Sequence, residues 1–406
     1  MPTIPLMNDH HSHPLFYAAF ASGVCLNGVH KKAEALEFIQ QNQSDTPIKL
    51  VHGWQSHRFQ FTDSDLESLP PVVIFNISLH SLLTNQAARK ILLNRYGNQF
   101  LKVDDKDWYE SNLRVILNWF ANLNADSDGL ILFYKQLLQQ GIYSAEELLL
   151  VDQDEIDLFD RAGLSHRTKF WAAPDVFDLL SSGYQERVSG IKLFTDGAIG
   201  SGTAAISRSY KSSFSGPENF GMLIYEDDEL ENAIQTSLQK KAALAIHAIG
   251  DRAIEQVICG LEKTGKSKLH QKCVRIEHAQ LIHPDQARRV KDLGVTLSMQ
   301  PNFSSDSAAY SDRLDSDFCQ SNNPFRMLID EIGFIPGQDL IFGSDGMPHG
   351  AEEALNQSFF PPLENQRIQL DEFVAGYCTD LSRGQIEFEV DESLRKIRIK
   401  QIKASF

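Results

Sequence analysis

The sequence predicts an α/β protein built on a (β/α)8 barrel with an inserted subdomain. From residue 141 onward, short apolar runs alternate with amphipathic helical stretches, which is the pattern of repeated βα units. Seven such runs lie at 142–145, 168–173, 190–194, 244–248, 274–278, 295–299 and 340–343. An eighth run, 4–7, lies at the N-terminus before a cluster of histidines. Eight strands of this kind predict a closed barrel, in which the chemistry lies at the C-terminal ends of the strands.

The segments between the apolar runs have the features of helices. Residues 227–241 begin with acidic side chains, which favour the N-terminal turn of a helix, and they place Leu230 and Ile234 on one face. Residues 284–293 repeat apolar side chains at helical spacing, and Gly294 follows as a stop signal. These stretches therefore predict the helices that connect parallel strands.

The regular alternation is interrupted once, between the first and second barrel strands. We interpret 30–138 as one inserted subdomain, because it has its own strand-like and helical runs at 48–54, 72–78, 87–94 and 108–123. Residues 1–29 and 139–372 are then the barrel. In the C-terminal segment, 373–406, the alternation of apolar and polar residues over 385–402 predicts a β-hairpin.

Composition excludes several classes of function. The chain has 406 residues, of which 42% are hydrophobic and 23% charged, and 38 basic against 54 acidic side chains give a net charge of −16. This acidic balance argues against nucleic acid or an anionic membrane as a partner, since both attract basic surfaces. Five scattered cysteines without a CxxC pair suggest a reducing compartment. Without a signal peptide or a membrane span, we expect a cytoplasmic protein that acts on a small molecule and that could form a homo-oligomer.

Residues of the kind that bind metals follow the predicted strands. After the first strand, His11 and His13 are two residues apart, so an extended backbone points both imidazoles to the same side. His247 and His278 end two later strands, and His278 follows His247 by 31 positions, the length of one βα unit. Asp345 ends the eighth strand, and Lys192 lies within an apolar strand, where a free ammonium is costly to bury. These six side chains predict one metal site at the barrel mouth.

The ordered motifs that contain these residues resemble those of the amidohydrolase superfamily. They are DxHxH at 9–13, KLFxDGAxGSxTA at 192–204, HAIGDRA at 247–253, RIEHAQ at 275–280, SMQP at 298–301 and GSD at 343–345. The chain is most similar to amidohydrolase family 3, the group of metal-dependent hydrolases that includes N-substituted formamide deformylase. Residues 71–87, with His80, also resemble the family's GHS…NS segment.

The resemblance implies a metal centre, commonly zinc and often binuclear. His11 and His13 would bind the more buried ion and His247 and His278 the other, with Lys192, carboxylated by CO2, as the bridge. Asp345 would bind the first ion and accept the proton of the attacking water. The implied activity is hydrolysis of a C–N bond in an amide, N-acyl or N-formyl compound.

Two further side chains are candidates for contact with the substrate. His80 lies in the GHS-like segment, and Gln300 ends the seventh strand, where it would face the barrel mouth. Arg275 and Glu277 flank His278, and we expect them to support the histidine or to lie on the outside of the strand.

Several alternatives stay open at this point. The four histidines could be hydrogen-bonded core residues, and Lys192 could extend to solvent or pair with Asp196, which would leave a single metal. A mononuclear deaminase and a metal-binding regulatory protein without activity are the rival functions. The chain also departs from the family pattern at both ends, where the segments that form a β-sandwich are short. We therefore expect a reduced or absent sandwich.

Overall fold

The computed structural model describes residues 1–21, 23–26, 28–42, 46–55, 58–76, 81–105, 108–109, 112–124, 126–215, 218–241, 243–269 and 272–404. Its strands, in chain order, are β1 Thr3–Pro5, β2 Met7–Ser12, β3 Val24–Cys25, β4 Lys49–Trp54, β5 Val72–Asn76, β6 Leu82–Thr84, β7 Ile142–Leu150, β8 Thr168–Ala172, β9 Val188–Phe194, β10 Ala243–Ala248, β11 Cys273–His278, β12 Thr296–Met299, β13 Leu340–Phe342, β14 Gly384–Asp391 and β15 Lys396–Ala404.

The α-helices connect or follow these strands. They span Pro14–Ala21, Lys32–Gln41, Asp63–Glu67, Gln86–Tyr96, Leu113–Asn124, Ser127–Gln139, Gln153–Arg161, Pro174–Leu179, Ser182–Arg187, Ser212–Ser215, Asp227–Lys240, Asp251–Thr264, Lys266–Leu269, Pro284–Leu293, Asp306–Ala309, Ser316–Ser321, Ala351–Phe359 and Leu370–Tyr377. Short 3-10 helices cover Gly97–Asp104, Ser165–Arg167, Pro301–Ser305, Glu364–Gln366 and Leu381–Arg383, and Met327–Ile332 is a π-helix. None of the helices in the described part of the chain is long and apolar enough to cross a membrane.

The chain divides into two compact units. The barrel unit contains Met1–His13, Gln136–Ile156 and Ser165–Phe406, and the second unit contains Pro14–Lys135 and Asp157–Leu164. The sequence suggested different limits, with 30–138 as an insertion. Those limits remain a prediction.

Eight parallel strands form the central sheet of the barrel unit, in the order β13-β12-β11-β10-β9-β8-β7-β2. The two ends of this order meet just beyond β13, where the backbone N–H of Asp345 donates to the carbonyl of His11 at 2.7 Å. The predicted (β/α)8 barrel is therefore confirmed. The helices Asp227–Lys240 and Pro284–Leu293 lie where their apolar spacing predicts them.

The first barrel strand differs from the prediction. We predicted it at 4–7, but Thr3–Pro5 pairs antiparallel with β14, and the barrel strand is Met7–Ser12. In the sequence, the polar residues after Met7 looked like the end of the strand. In the structure they are part of it. Asp9 and His11 are buried there because both have polar partners inside the barrel. Together β1, β14 and β15 form a three-stranded antiparallel sheet at the two ends of the chain.

The second unit is built on a four-stranded sheet in the order β3-β4-β5-β6, in which only β6 runs antiparallel to its neighbour. Side chains of β5 alternate between two apolar clusters, with Val73 and Phe75 on one side and Val72 and Ile74 on the other. This sheet is therefore buried on both faces, which explains its near-continuous apolar strands.

Candidate metal centre and active site

His11 lies on β2 with its imidazole inside the barrel and about 1% of the residue exposed. Its Nδ1 donates to Oε2 of Glu277 at 2.6 Å, so Nε2 is the nitrogen that presents a lone pair. Burial and the nearby Lys192 keep the pKa of His11 well below its ordinary value. The neutral imidazole is the form that binds a metal.

His13 points to the same side as His11, as the HxH spacing predicts. Its Nε2 lies 3.2 Å from Oδ1 of Asp345, and its Nδ1 lies 3.8 Å from Oε1 of the buried Glu147. Burial alone would lower the pKa of His13, but these two carboxylates outweigh it and raise the pKa to about 9.

Asp345 follows β13 in a left-handed backbone conformation, with φ at 55°. Its Oδ1 lies 3.7 Å from Nε2 of His11. Burial would raise the pKa of this carboxyl, but His11 and His13 lower it below its ordinary value. Gly343 allows this approach, because a Cβ there would lie 2.4 Å from the backbone nitrogen of His11.

His278 lies between two other predicted ligands. Its ring centroid is 4.5 Å from that of His11 and 4.5 Å from that of His247. Its Nδ1 donates to Oε1 of Gln300 at 2.6 Å, which leaves Nε2 for a ligand, and burial together with the neighbouring imidazoles holds its pKa well below the ordinary value. In His247 it is Nε2 that is bonded, to the carbonyl of Gly197 at 3.0 Å, so Nδ1 is the nitrogen left for a metal.

Lys192 is buried on β9 with about 1% of the residue exposed. Within the described part of the chain its Nζ has no hydrogen-bond partner, and it lies 5.0 Å from the ring centre of Phe194. Burial lowers the pKa of this amine to about 8. The alternative pairing with Asp196 is wrong, because Asp196 accepts the backbone N–H groups of residues 205, 249 and 250 and lies 3.3 Å from His247.

The donor atoms fit a divalent cation. One ligand atom each from His11, His278 and Asp345 lies within 4.8 Å of the others, and His13 adjoins Asp345. Imidazole nitrogen and carboxylate oxygen suit zinc and related transition metals. An amine buried among these groups without a hydrogen bond is also a site where an added carboxylate would gain partners.

The two substrate candidates are placed differently. Gln300 is buried and its amide oxygen is bonded to His278, so in this structure it orients a histidine. Its contact with a substrate stays a prediction. His80 lies outside the described residues.

Sequence reasoning missed how carboxylates support the histidines. Glu277 was expected beside its neighbour His278 but bonds His11, and Glu147 behind His13 was not singled out. Asp9, the first residue of the DxHxH motif, accepts the backbone N–H of Ser344 at 2.7 Å and also its hydroxyl. The available signal was the same in each case, an acidic residue at an inward position of a strand.

Comparisons with known proteins assign the family. The model of the amidohydrolase family matches residues 127–351, which is more than half of the chain, so the chain belongs to this family. This confirms the resemblance found in the motifs.

Individual relatives agree with this assignment. The Bacillus subtilis protein YtcJ, whose name places it among the amidohydrolases, is 28% identical over 198 residues, which is 48% of this chain and 33% of YtcJ. Protein LONG AFTER FAR-RED 3 of Arabidopsis thaliana is 23% identical over 352 residues, 75% of this chain and 59% of that protein. The chain thus spans about a third and about three fifths of these two relatives.

Two crystal structures share the fold. Both are of uncharacterised metal-dependent hydrolases, one from Pyrococcus horikoshii and one from Pyrococcus furiosus, and each superposes with a TM-score of 0.69. The first is 22% identical and covers 88% of this chain and 74% of its own, and the second is 20% identical and covers 92% and 80%. At this level of sequence identity, the comparison shows a shared barrel fold and nothing about activity.

Proposed function

We propose that this protein is a metal-dependent hydrolase that cleaves a C–N bond in an amide, N-acyl or N-formyl compound. The observation that carries the proposal is the convergence of His11, His278 and Asp345 donor atoms within 4.8 Å at the C-terminal ends of the barrel strands. Membership of the amidohydrolase family supports the choice of a C–N bond.

The residues that would bind the metal are His11, His13, His247, His278, Asp345 and, after carboxylation, Lys192. Zinc is the ion that this nitrogen and oxygen donor set favours. A bound divalent ion would polarise the carbonyl of the substrate and lower the pKa of a water molecule.

In this proposal Asp345 moves the proton. Its Oδ1 lies 3.2 Å from Nε2 of His13 and 3.7 Å from Nε2 of His11, so the carboxyl adjoins two of the residues that would hold the metal and could take the proton of the attacking water there. The same carboxyl then protonates the departing nitrogen, so one group acts first as base and then as acid. The side chain is 18% exposed, which is enough for contact with a substrate that enters from the mouth.

Lys192 completes the ligand set in this proposal. Carboxylation begins with loss of one proton from the ammonium; the neutral amine then bonds through Nζ to the carbon of CO2 and loses a second proton, which leaves an anionic carbamate as the ligand. The support is the burial of Nζ with no hydrogen-bond partner among the described residues. With the amine unmodified, a single ion would be expected.

The test is a hydrolysis screen on metal-depleted protein. N-formyl, N-acyl and cyclic amides, together with amino-heterocycles as deaminase substrates, are offered with Zn²⁺, with Mn²⁺ and with no added metal. We expect turnover of an amide only when metal is present. Release of ammonia from a heterocycle would favour the deaminase, and metal binding without turnover of any substrate would favour a regulatory protein.

A further inference from the structure

A cluster of charged side chains lies on the barrel strands next to the candidate metal ligands. Its centre is the guanidinium of Arg275 on β11, with 7% of the residue exposed. Arg275 pairs with Glu146 of β7 at 2.9 Å and with Oε1 of Glu277, and it donates to the carbonyl of His10 at 3.2 Å. Two carboxylates and a backbone carbonyl thus surround one buried cation.

The aromatic neighbour of Arg275 fixes its orientation. The guanidinium carbon lies 4.2 Å from the ring centre of Trp171 on β8, a distance at which the planar group and the indole attract each other. Trp171 has room there because position 190 is a glycine, where a Cβ would lie 2.3 Å from the indole. The indole Nε1 also donates to Oε2 of Glu146 at 2.7 Å, so the indole and the cation share one carboxylate.

Stability alone does not explain this cluster. Burying a charged pair costs desolvation energy that the attraction of the charges often only offsets, and apolar side chains of similar volume serve a core as well. The cluster is connected to a candidate metal ligand through Glu277. Oε1 of Glu277 pairs with Arg275, and Oε2 accepts Nδ1–H of His11 at 2.6 Å.

We propose that Arg275 is a positioning residue of the metal centre and that it acts on His11 through Glu277. With one oxygen paired to the fixed guanidinium, the carboxylate turns its other oxygen to Nδ1 of His11. The imidazole is then kept in the tautomer that directs Nε2 toward Asp345, 3.7 Å away. This inference rests on the proposed function, because it gives the cluster a task only if His11 binds a metal.

The test measures metal affinity in Arg275→Gln and Arg275→Lys. Zn²⁺ affinity is obtained by competition with a chromophoric chelator, and a Co²⁺ titration records the visible spectrum of the site. We expect Arg275→Gln to weaken binding by about 10–100-fold and to change the Co²⁺ spectrum. Arg275→Lys keeps the charge but neither the planar stacking nor the fork of donors, so it should fall between wild type and Arg275→Gln.

The matched control is Lys169→Gln. Lys169 lies 3.4 Å from the same Glu146, but its side chain is 63% exposed, and among the described residues it makes no ion pair with Glu277. Metal affinity of this variant should stay within about twofold of wild type, since exposed ion pairs contribute little. Circular dichroism and thermal melts establish that each variant is folded.

A double mutant tests whether Arg275 acts through Glu277. If it does, Arg275→Gln combined with Glu277→Gln should weaken Zn²⁺ binding no more than Glu277→Gln alone, because the two changes disrupt one chain of contacts. Additive losses would overturn the proposed route. If Arg275→Gln does not fold, Glu146→Gln tests the same chain, since it loosens Arg275 and should weaken the metal site in the same direction.

The outcomes separate this inference from the proposed function. Wild-type protein that binds neither Zn²⁺ nor Co²⁺ would contradict the proposed function. Wild-type protein that binds both, beside a folded Arg275→Gln with affinity within threefold and an unchanged Co²⁺ spectrum, would overturn the role of Arg275 and leave the proposed function in place.

Discussion

The backbone N–H of Asp345 donates a hydrogen bond to the carbonyl oxygen of His11 at 2.7 Å. These residues belong to the last and the first strand regions of the barrel, which are the two ends of the sheet order. The bond that brings the sheet ends together therefore also sets the separation of two metal-ligand candidates. Distortion at this junction should affect the fold and the metal site together.

Gly343→Ala tests that junction. The added Cβ would meet the backbone of His11 at 2.4 Å, so one of the two strands must shift. We expect a loss of about 1–3 kcal/mol in unfolding free energy, as for other overpacked sites, and a lower metal content. Thermal melts and elemental analysis measure both.

Gly183→Ala is the matched control. A Cβ at Gly183, in the helix Ser182–Arg187, meets no atom within 4 Å. Replacing glycine by alanine in a helix should leave stability unchanged or raise it by up to about 1 kcal/mol. If Gly343→Ala behaved like Gly183→Ala in stability and metal content, the close approach of the two strands would have no functional consequence.

Asp345→Asn tests the proton transfer. Asparagine has nearly the same size and keeps one oxygen, but it cannot accept the water proton at neutral pH. We expect kcat to fall by about 10²–10⁴-fold while metal content stays near wild type. The exposed Asp317→Asn is the control and should retain full activity. An Asp345→Asn enzyme that turns over a confirmed substrate within threefold of wild type would show that another group moves the proton.

Lys192→Ala tests the bridging carboxylate. Removing the amine should cost one of two bound ions, and bicarbonate or short carboxylates should partly restore it by occupying the vacated space. Metal analysis with and without these anions measures the effect. Native mass spectrometry that finds an unmodified lysine beside full occupancy of two ions would contradict carboxylation.

Asp306 makes stability depend on pH. Burial raises the pKa of its carboxyl from 3.8 to about 7, although Nε2 of Gln280 donates to it at 2.7 Å. Because the folded state holds the proton more tightly than the unfolded state, stability should fall as pH rises from about 4 to about 7. Asp306→Asn removes this titration and keeps an acceptor for Gln280.

The expected result for Asp306→Asn is greater stability than wild type at pH 8 and little difference at pH 4. Since the side chain is only partly buried, the gain should be about 1–2 kcal/mol. Urea unfolding at both pH values measures it. A stability difference that is the same at pH 4 and pH 8 would show that this carboxyl titrates normally.

Seven of the eight barrel strands were predictable because each contains a short apolar run that is followed by a helical pattern in the sequence. The runs at 168–173, 190–194 and 274–278 correspond to Thr168–Ala172, Val188–Phe194 and Cys273–His278. The first barrel strand could not be predicted in this way, because Asp9 and His11 make it polar. Only the folded barrel shows that Ser344 and Glu277 satisfy these groups.

The positions of the candidate ligands could be predicted as residue types at strand ends, while their roles stay a prediction. His11, His278 and Asp345 lie together as expected, since parallel strands deliver their C-terminal residues to one end of a barrel. The partners behind them were not predictable. Arg275 and Glu277 are close to His278 in sequence, yet they reach across the barrel to His10 and His11 on β2. Such contacts depend on the closure of the sheet.

The central claim is that the barrel-end side chains bind a catalytic divalent metal, and the most direct measurement is the metal content of protein purified without chelator. Elemental analysis should find one to two transition-metal ions per chain, zinc by default, because the ligands are nitrogen and oxygen atoms. A content below about 0.3 ions per chain that added Zn²⁺ or Mn²⁺ does not raise would contradict the claim, since a ligand set with neutral imidazoles at His11 and His278 should bind these ions tightly.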